Sequence, residues 1–150
     1  MQNAAKNNHV ELYELPFVKI IKLSDDIAEI IVNEGVDYDL DMVRQYHDWV
    51  RTHMADPCYI LVNRLNSYSY TFEVQQQLDS LKQIKAIALV AYTRISKMSA
   101  QAVYKGTRLT PLNCEIFDNR EEALHWLEEH MIPAYPLGDY KVAPGVEGIK

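Results

Sequence analysis

The sequence predicts an α/β domain: a mixed, mostly parallel sheet that begins with an antiparallel hairpin and carries four amphipathic helices. Two apolar, β-branched runs, residues 17–23 and 27–32, are joined only by Ser24-Asp25-Asp26. So short a polar link suits a hairpin turn and leaves no room for a crossover. Strand-like and helix-like stretches then alternate, the pattern of parallel strands joined by right-handed crossover helices. The alternation closes on residues 114–127, a short strand that runs directly into a capped helix.

Residues 1–9 are polar and read as a loose start, and residues 10–15 as an edge strand or a partner-dependent arm. A loop over 33–38 ends at Asp39, the N-cap of a first helix over about 40–54. Leu40, Val43, His47, Val50 and Met54 share one stripe of that helix, and Asp56-Pro57 stops it. Residues 58–62 are almost wholly apolar and predict a central strand buried on both faces. A polar loop over 63–70 leads to a second helix, about 71–82, with Val74, Leu78 and Leu81 facing inward. Residues 84–91 give the next buried strand. A third helix is predicted over about 96–105, with a weak stripe of Ile95, Met98 and Ala102 and with Gly106 as its C-terminal cap. After a strand at 113–117, Asp118 is the expected cap of the last helix, with Glu121 three residues on in a capping-box-like spacing. Glu121 and Glu122 suit the positive end of its dipole, Leu124, Leu127 and Met131 form its stripe, and Pro133 ends it. One domain over 10–131 follows, with an irregular Pro- and Gly-containing tail over 132–150.

The chain has 150 residues, 48% of them hydrophobic, which is material for one domain with a real core. A net charge of −6 argues against a general nucleic-acid binder, since phosphate backbones demand basic surfaces. No run approaches the roughly 18–20 apolar residues that span a bilayer. Residues 1–9 lack the apolar centre of a secretory signal, so the expectation is a cytoplasmic protein without membrane insertion. Cys58 and Cys114 show no Cys-x-x-Cys spacing and read as reduced thiols buried as small hydrophobes.

Catalytic and metal signatures are absent from the sequence. There is no Gly-x-Ser-x-Gly elbow, no phosphate-cradling Gly-rich loop and no evident Cys-His or Ser-His-Asp set. His47 lies on an apolar stripe and reads as a satisfied core or boundary residue. His53 is six residues further on, and His125 and His130 are five apart, so neither pair has the i, i+4 spacing of helical metal sites. No cofactor or metal is expected.

Two groups of residues remain as site candidates. Ser67, Ser69 and Thr71 precede a helix N-terminus, a favourable place for negative charge, and are phosphoacceptor candidates; alternatively Thr71 or Ser69 caps the helix. The charges are also segregated. Residues 24–42 hold seven acids and no Lys or Arg, whereas residues 80–114 hold Lys82, Lys85, Arg94, Lys97, Lys105 and Arg108 and no acid. Arg94 and Lys97 fall at the carboxyl edge of a parallel strand, where open α/β sheets bind ligands. Arg94, Lys97, Lys105 and Arg108 are therefore candidates for holding a small anion, with Tyr68 and Tyr92 on the same edge. The bland alternatives are a solvated basic face or one that pairs with the acidic segment of a second copy.

The element order, together with Ile116-Phe117-Asp118-Asn119-Arg120-Glu121-Glu122-Ala123-Leu124-His125-Trp126-Leu127, resembles the SpoIIAA-like branch of the bacterial STAS superfamily over roughly residues 17–131. That resemblance implies a non-catalytic module that binds a protein partner or a small ligand; a homodimer is also a candidate partner arrangement. The phosphorylated serine of the anti-sigma-factor antagonists lies in an Asp-Ser-Ser-Gly pattern between a central strand and the next helix; residues 63–73 have hydroxyls there but not that pattern. Two alternatives stand beside this reading. One is a carrier of a small apolar or lipid-like ligand, since the SpoIIAA-like fold resembles the CRAL-TRIO architecture in outline; the other is a cryptic enzyme. A carrier predicts a closed apolar pocket between helices and sheet, and an enzyme predicts a cleft with converging titratable groups.

Overall fold

The two longest apolar strands lie side by side at the centre of the sheet. In chain order the elements are β1 (Glu11–Leu15), β2 (Val18–Lys22), β3 (Ile27–Val32), β4 (Asp37–Tyr38), α1 (Leu40–His53), β5 (Cys58–Arg64), β6 (Ser69–Tyr70), α2 (Phe72–Gln77), β7 (Ile84–Ala91), α3 (Arg94–Tyr104), β8 (Cys114–Phe117) and α4 (Arg120–Met131). The computed structural model describes residues 10–77, 81–105 and 113–131. The main sheet has the order β1-β2-β3-β5-β7-β8. Its first three strands pair antiparallel and the last four parallel. The predicted fold class is therefore the observed one, and residues 10–15 supply an edge strand.

Because β3, β5, β7 and β8 step across the sheet in one direction, same-handed crossovers place every connecting helix on one face. The core there joins Val43, Trp49 and Val50 of α1, Val74 of α2 and Ala100 and Val103 of α3 to alternate residues of the strands, such as Ile30, Ile60 and Leu89. Among the described residues the opposite face has α4 alone. Ala123 and Leu127 of that helix pack on Tyr59, Leu61, Ala86, Ala88 and Val90. The small alanines let the helix axis come close to the sheet.

Local chemistry explains the helix starts. Asp39 accepts from the Met42 amide at 3.0 Å, as expected of an N-cap. The last helix starts one residue later than predicted: Asn119, not Asp118, accepts from the amide of Glu122 at 2.9 Å. Helix α3 begins at Arg94 because Thr93 caps it through the Ser96 amide. Its buried residues are Ala100, Val103 and Tyr104, so the stripe expected at Ile95, Met98 and Ala102 faces outward instead. A small aliphatic stripe loses to a face that carries a buried tyrosine. The second helix is shorter than predicted, since residues 81–84 form a turn closed by Ile84 N donating to Leu81 O at 3.0 Å. Residues 1–9, Leu78, Gly106, Arg108, Pro133 and the tail lie outside the described residues.

Both cysteines are buried. No helix among the described residues is long and apolar enough to cross a membrane.

Candidate functional site at the carboxyl edge of the parallel strands

Strand β5 runs two residues further than the sequence predicted, and this extension creates the site. Asn63 and Arg64 were expected in a loop, but both continue the ladder with β7, opposite Val90 and Ala91. The pleat turns their side chains to opposite faces. Asn63 points to the α4 side and Arg64 to the side of α1–α3.

Arg64 is only 5% exposed. Its Nε donates to Ser96 Oγ at 3.1 Å and its Nη1 to the Tyr70 hydroxyl at 3.0 Å. The guanidinium carbon lies 4.5 Å from the centroid of the Tyr68 ring and 5.7 Å from that of Tyr70. The hydroxyls of Tyr68 and Tyr104 lie 3.3 and 3.5 Å from that of Tyr70. Two of the five guanidinium donors are thus used. Among the described residues, no carboxylate lies within ion-pair distance of it.

Arg64 forms part of a cleft of about 280 Å³ at the carboxyl edge, with Ser67, Tyr92, Thr93, Ser96 and Ser99 among the other lining residues. The loop after β5 is clamped to the turn after β3. Gly35, at φ +80, closes that turn and donates its amide to Ser67 O at 2.8 Å. The Ser67 amide donates to Glu34 Oε1 at 3.0 Å, and Asn66 Nδ2 to Val32 O at 2.9 Å. The short parallel pair β4–β6, which the sequence did not announce, extends the same clamp.

On the other face Glu29 is 2% exposed. Arg120, at the first turn of α4, grips its carboxylate, with Nη2 at 2.7 Å and Nε at 3.1 Å. Those bonds hold the Arg120 guanidinium above its ordinary range. Asn63 Nδ2 donates to the same carboxylate at 2.8 Å, and the Tyr92 hydroxyl donates to Asn63 Oδ1 at 2.9 Å. A wall of the cleft is therefore anchored, through Asn63, to the Glu29–Arg120 ion pair.

The predicted anion candidates are dispersed. Lys97 pairs with Asp118, and Lys105 lies 3.5 Å from Glu115. Arg94 is exposed at the start of α3 and does not line the cleft, while Arg108 lies outside the described residues. Tyr68 and Tyr92 do line it. Of the three hydroxyl candidates, Ser67 is exposed and lines the cleft, and Ser69 donates to Asp37 Oδ1 at 3.0 Å. Thr71 Oγ1 is buried without a hydrogen-bond partner among the described residues, so neither it nor Ser69 makes the expected cap. The acidic run is likewise no single surface: Glu29 is buried in an ion pair, Asp39 caps α1 and Asp25 faces Lys22 at 3.6 Å.

His47 is a core residue, but not a satisfied one. Its Nε2 is buried without a partner among the described residues, and burial, aided by Arg51, lowers its pKa to about 4. Among the described residues no three His, Cys, Asp or Glu side chains gather as metal ligands. A second hollow, broad and open, lies on the outer face of α4 between Phe117, Trp126 and acidic residues. Between the helices and the sheet, the space lined by Ile30, Tyr46 and Val62 is about 10 Å³, room for a single water at most.

Fold and cleft together define an open α/β domain with a recess at the carboxyl ends of its parallel strands. Within that class the chain belongs to the family described as Domain of unknown function (DUF7793), whose model matches residues 21–131, more than half of the chain. No curated protein matches it. Among solved structures it is similar to an uncharacterized protein of the DUF3478 family with a SpoIIAA-like fold from Shewanella loihica PV-4, at 11% identity and a TM-score of 0.46, over 79% of this chain and 91% of that one.

Proposed function

We propose that the protein is a non-catalytic, STAS-like binding module that holds an anionic group, on a small ligand or a protein partner, in the cleft over Arg64. One observation carries this reading: a guanidinium 5% exposed, without a carboxylate partner among the described residues, beside an open cleft. Burying an unpaired charge is costly. The Tyr68 and Tyr70 rings offset part of that cost. An incoming anion would supply the rest, and the neighbouring hydroxyls of Thr93, Ser96 and Ser99 are ready donors.

The alternatives draw less support. A lipid-like cargo needs a closed apolar cavity, whereas the hollow lined by Ile30, Tyr46 and Val62 between helices and sheet holds about 10 Å³. An enzyme of the acid–base kind needs converging titratable groups, whereas Arg64, Tyr68 and Tyr92 are the titratable residues among the described cleft lining.

Titrating inorganic phosphate and acetate into labelled protein, with amide shifts as the readout, tests the reading. Saturable shifts at Ser67, Thr93 and Ser96 are expected, and Arg64→Met should abolish them while the rest of the spectrum stays dispersed. Shifts scattered over surface lysines with none at Ser96 would refute it.

A further inference from the structure

We infer that the ligand of the Arg64 cleft is a monocarboxylate with a short apolar body. This inference rests on the anion-binding reading above and names the chemistry of its ligand. The carboxylate would sit on Arg64 and the Ser96 hydroxyl, with the body against Leu65, Tyr92 and Ile95.

Charge is the first ground. Arg64 is the only charged residue that lines the cleft among the described residues. Of the neighbouring cations, Lys97 is held by Asp118, and Arg94 is exposed at the start of α3 and does not line the cleft. One positive charge matches one carboxylate, whose two oxygens fit the guanidinium fork. A phosphate monoester carries between one and a half and two negative charges near pH 7 and would leave part of that charge uncompensated. Ser96 Oγ already accepts from Arg64 Nε, which leaves its own hydrogen for a ligand oxygen.

The second ground is the distribution of exposed apolar side chains. Single exposed hydrophobics are ordinary on a protein surface. Here Leu65 (59% exposed), Tyr92 (46%) and Ile95 (79%) all line this one cleft, and Met98 follows Ile95 by three positions on α3. These side chains leave the helix-facing core entirely and border a floor made of one cation and several hydroxyls. An apolar wall beside a fixed positive charge is the arrangement that selects an amphiphilic anion over a hydrated one. Size sets the upper limit. About 280 Å³ lies at the small end of ligand pockets, and the hollow lined by Ile30, Tyr46 and Val62 adds only about 10 Å³, so the cleft suits a short body better than a long acyl chain.

The test uses the full chain and five probes: acetate, isovalerate, phenylacetate, isovaleramide and inorganic phosphate, followed by the amide signals of Ser67, Thr93 and Ser96. Isovalerate and phenylacetate should bind about tenfold more tightly than acetate, the order expected from partly burying their extra carbons. Isovaleramide, which has the body without the charge, should bind at least tenfold more weakly than isovalerate. Ile95→Ser changes an exposed side chain and should fold normally; it should weaken isovalerate at least threefold and leave acetate unchanged. Phosphate binding as tightly as isovalerate, or acetate matching isovalerate, would overturn the inference while leaving an anion site in place. No response to any of the anions would instead bring down the anion-binding reading itself.

Discussion

Glu29 and Arg120 show what one buried carboxylate demands. The two stand 91 positions apart in sequence, yet every oxygen of the Glu29 carboxylate is used by Arg120 or Asn63. Removing Arg120 would strand a charge in a site with 2% exposure. Arg120 itself is half-exposed, so part of the gain is screened. Arg120→Ala should cost roughly 2–3 kcal/mol in urea unfolding, and Glu29→Gln in the same chain should recover part of that loss. Equal, additive losses in the double variant would show that the pair is not coupled. His47 makes the pH-dependent contribution. Its pKa is lowered to about 4 in the folded chain against 6.5 when unfolded. The unfolded chain therefore binds more protons in that interval. The stability due to neutral His47 is complete above about pH 6.5 and is lost as pH falls toward 4. Between pH 7 and pH 5 the loss should be about 2 kcal/mol, and His47→Phe should remove that slope. An unchanged slope in the variant would refute the assignment.

Helices and turns, more than single side chains, set the shape of the cleft. The turn at residues 33–36 requires Gly35, whose φ of +80 is rare for residues with a side chain, although a Cβ there would meet nothing within 4 Å. Gly35→Ala should therefore cost about 1–2 kcal/mol through backbone strain alone. Because the Gly35 amide holds Ser67 O, the amide signals of residues 65–68 should broaden or move. A stability loss with those signals unmoved would mean that the clamp does not depend on this turn. Helix α3 shows where local reading stops. Spacing alone allows either Ile95–Met98 or Ala100–Val103 to face inward, and the choice fell to Tyr104 and its packing against Tyr70, ring centroids 6.3 Å apart. The first helix gave no such ambiguity: Asp39, Val43 and Val50 were legible because cap and stripe agree.

Across the whole molecule, the sheet is unequally protected. Strands β5 and β7 are flanked on both sides and buried, while β1 leaves one edge unpaired within the described residues and exposes Leu12. Amide exchange of β5 and β7 should require global unfolding, whereas the outward amides of β1 should exchange by local fraying. Equal protection would mean that something covers that edge. The sheet and its helices were legible in the sequence because apolar periodicity is a local property: residues 58–62 and 84–91 announce central strands by themselves. The site was less legible. Arg64 follows five apolar residues and then Asn63, and two polar residues there read as the start of a loop. Sequence did place a ligand edge near Tyr68 and Tyr92, but it assigned the cation to Arg94, Lys97, Lys105 and Arg108. By itself, then, the chain's order of residues determined the strand and helix pattern, the mixed sheet and the position of its carboxyl edge. Tertiary structure alone decided that Arg64 is buried with no carboxylate beside it among the described residues, that Glu29 is held by Arg120, and that Ile95 faces outward. Charge pairing and burial depend on which distant elements meet, and no local window of sequence contains both partners.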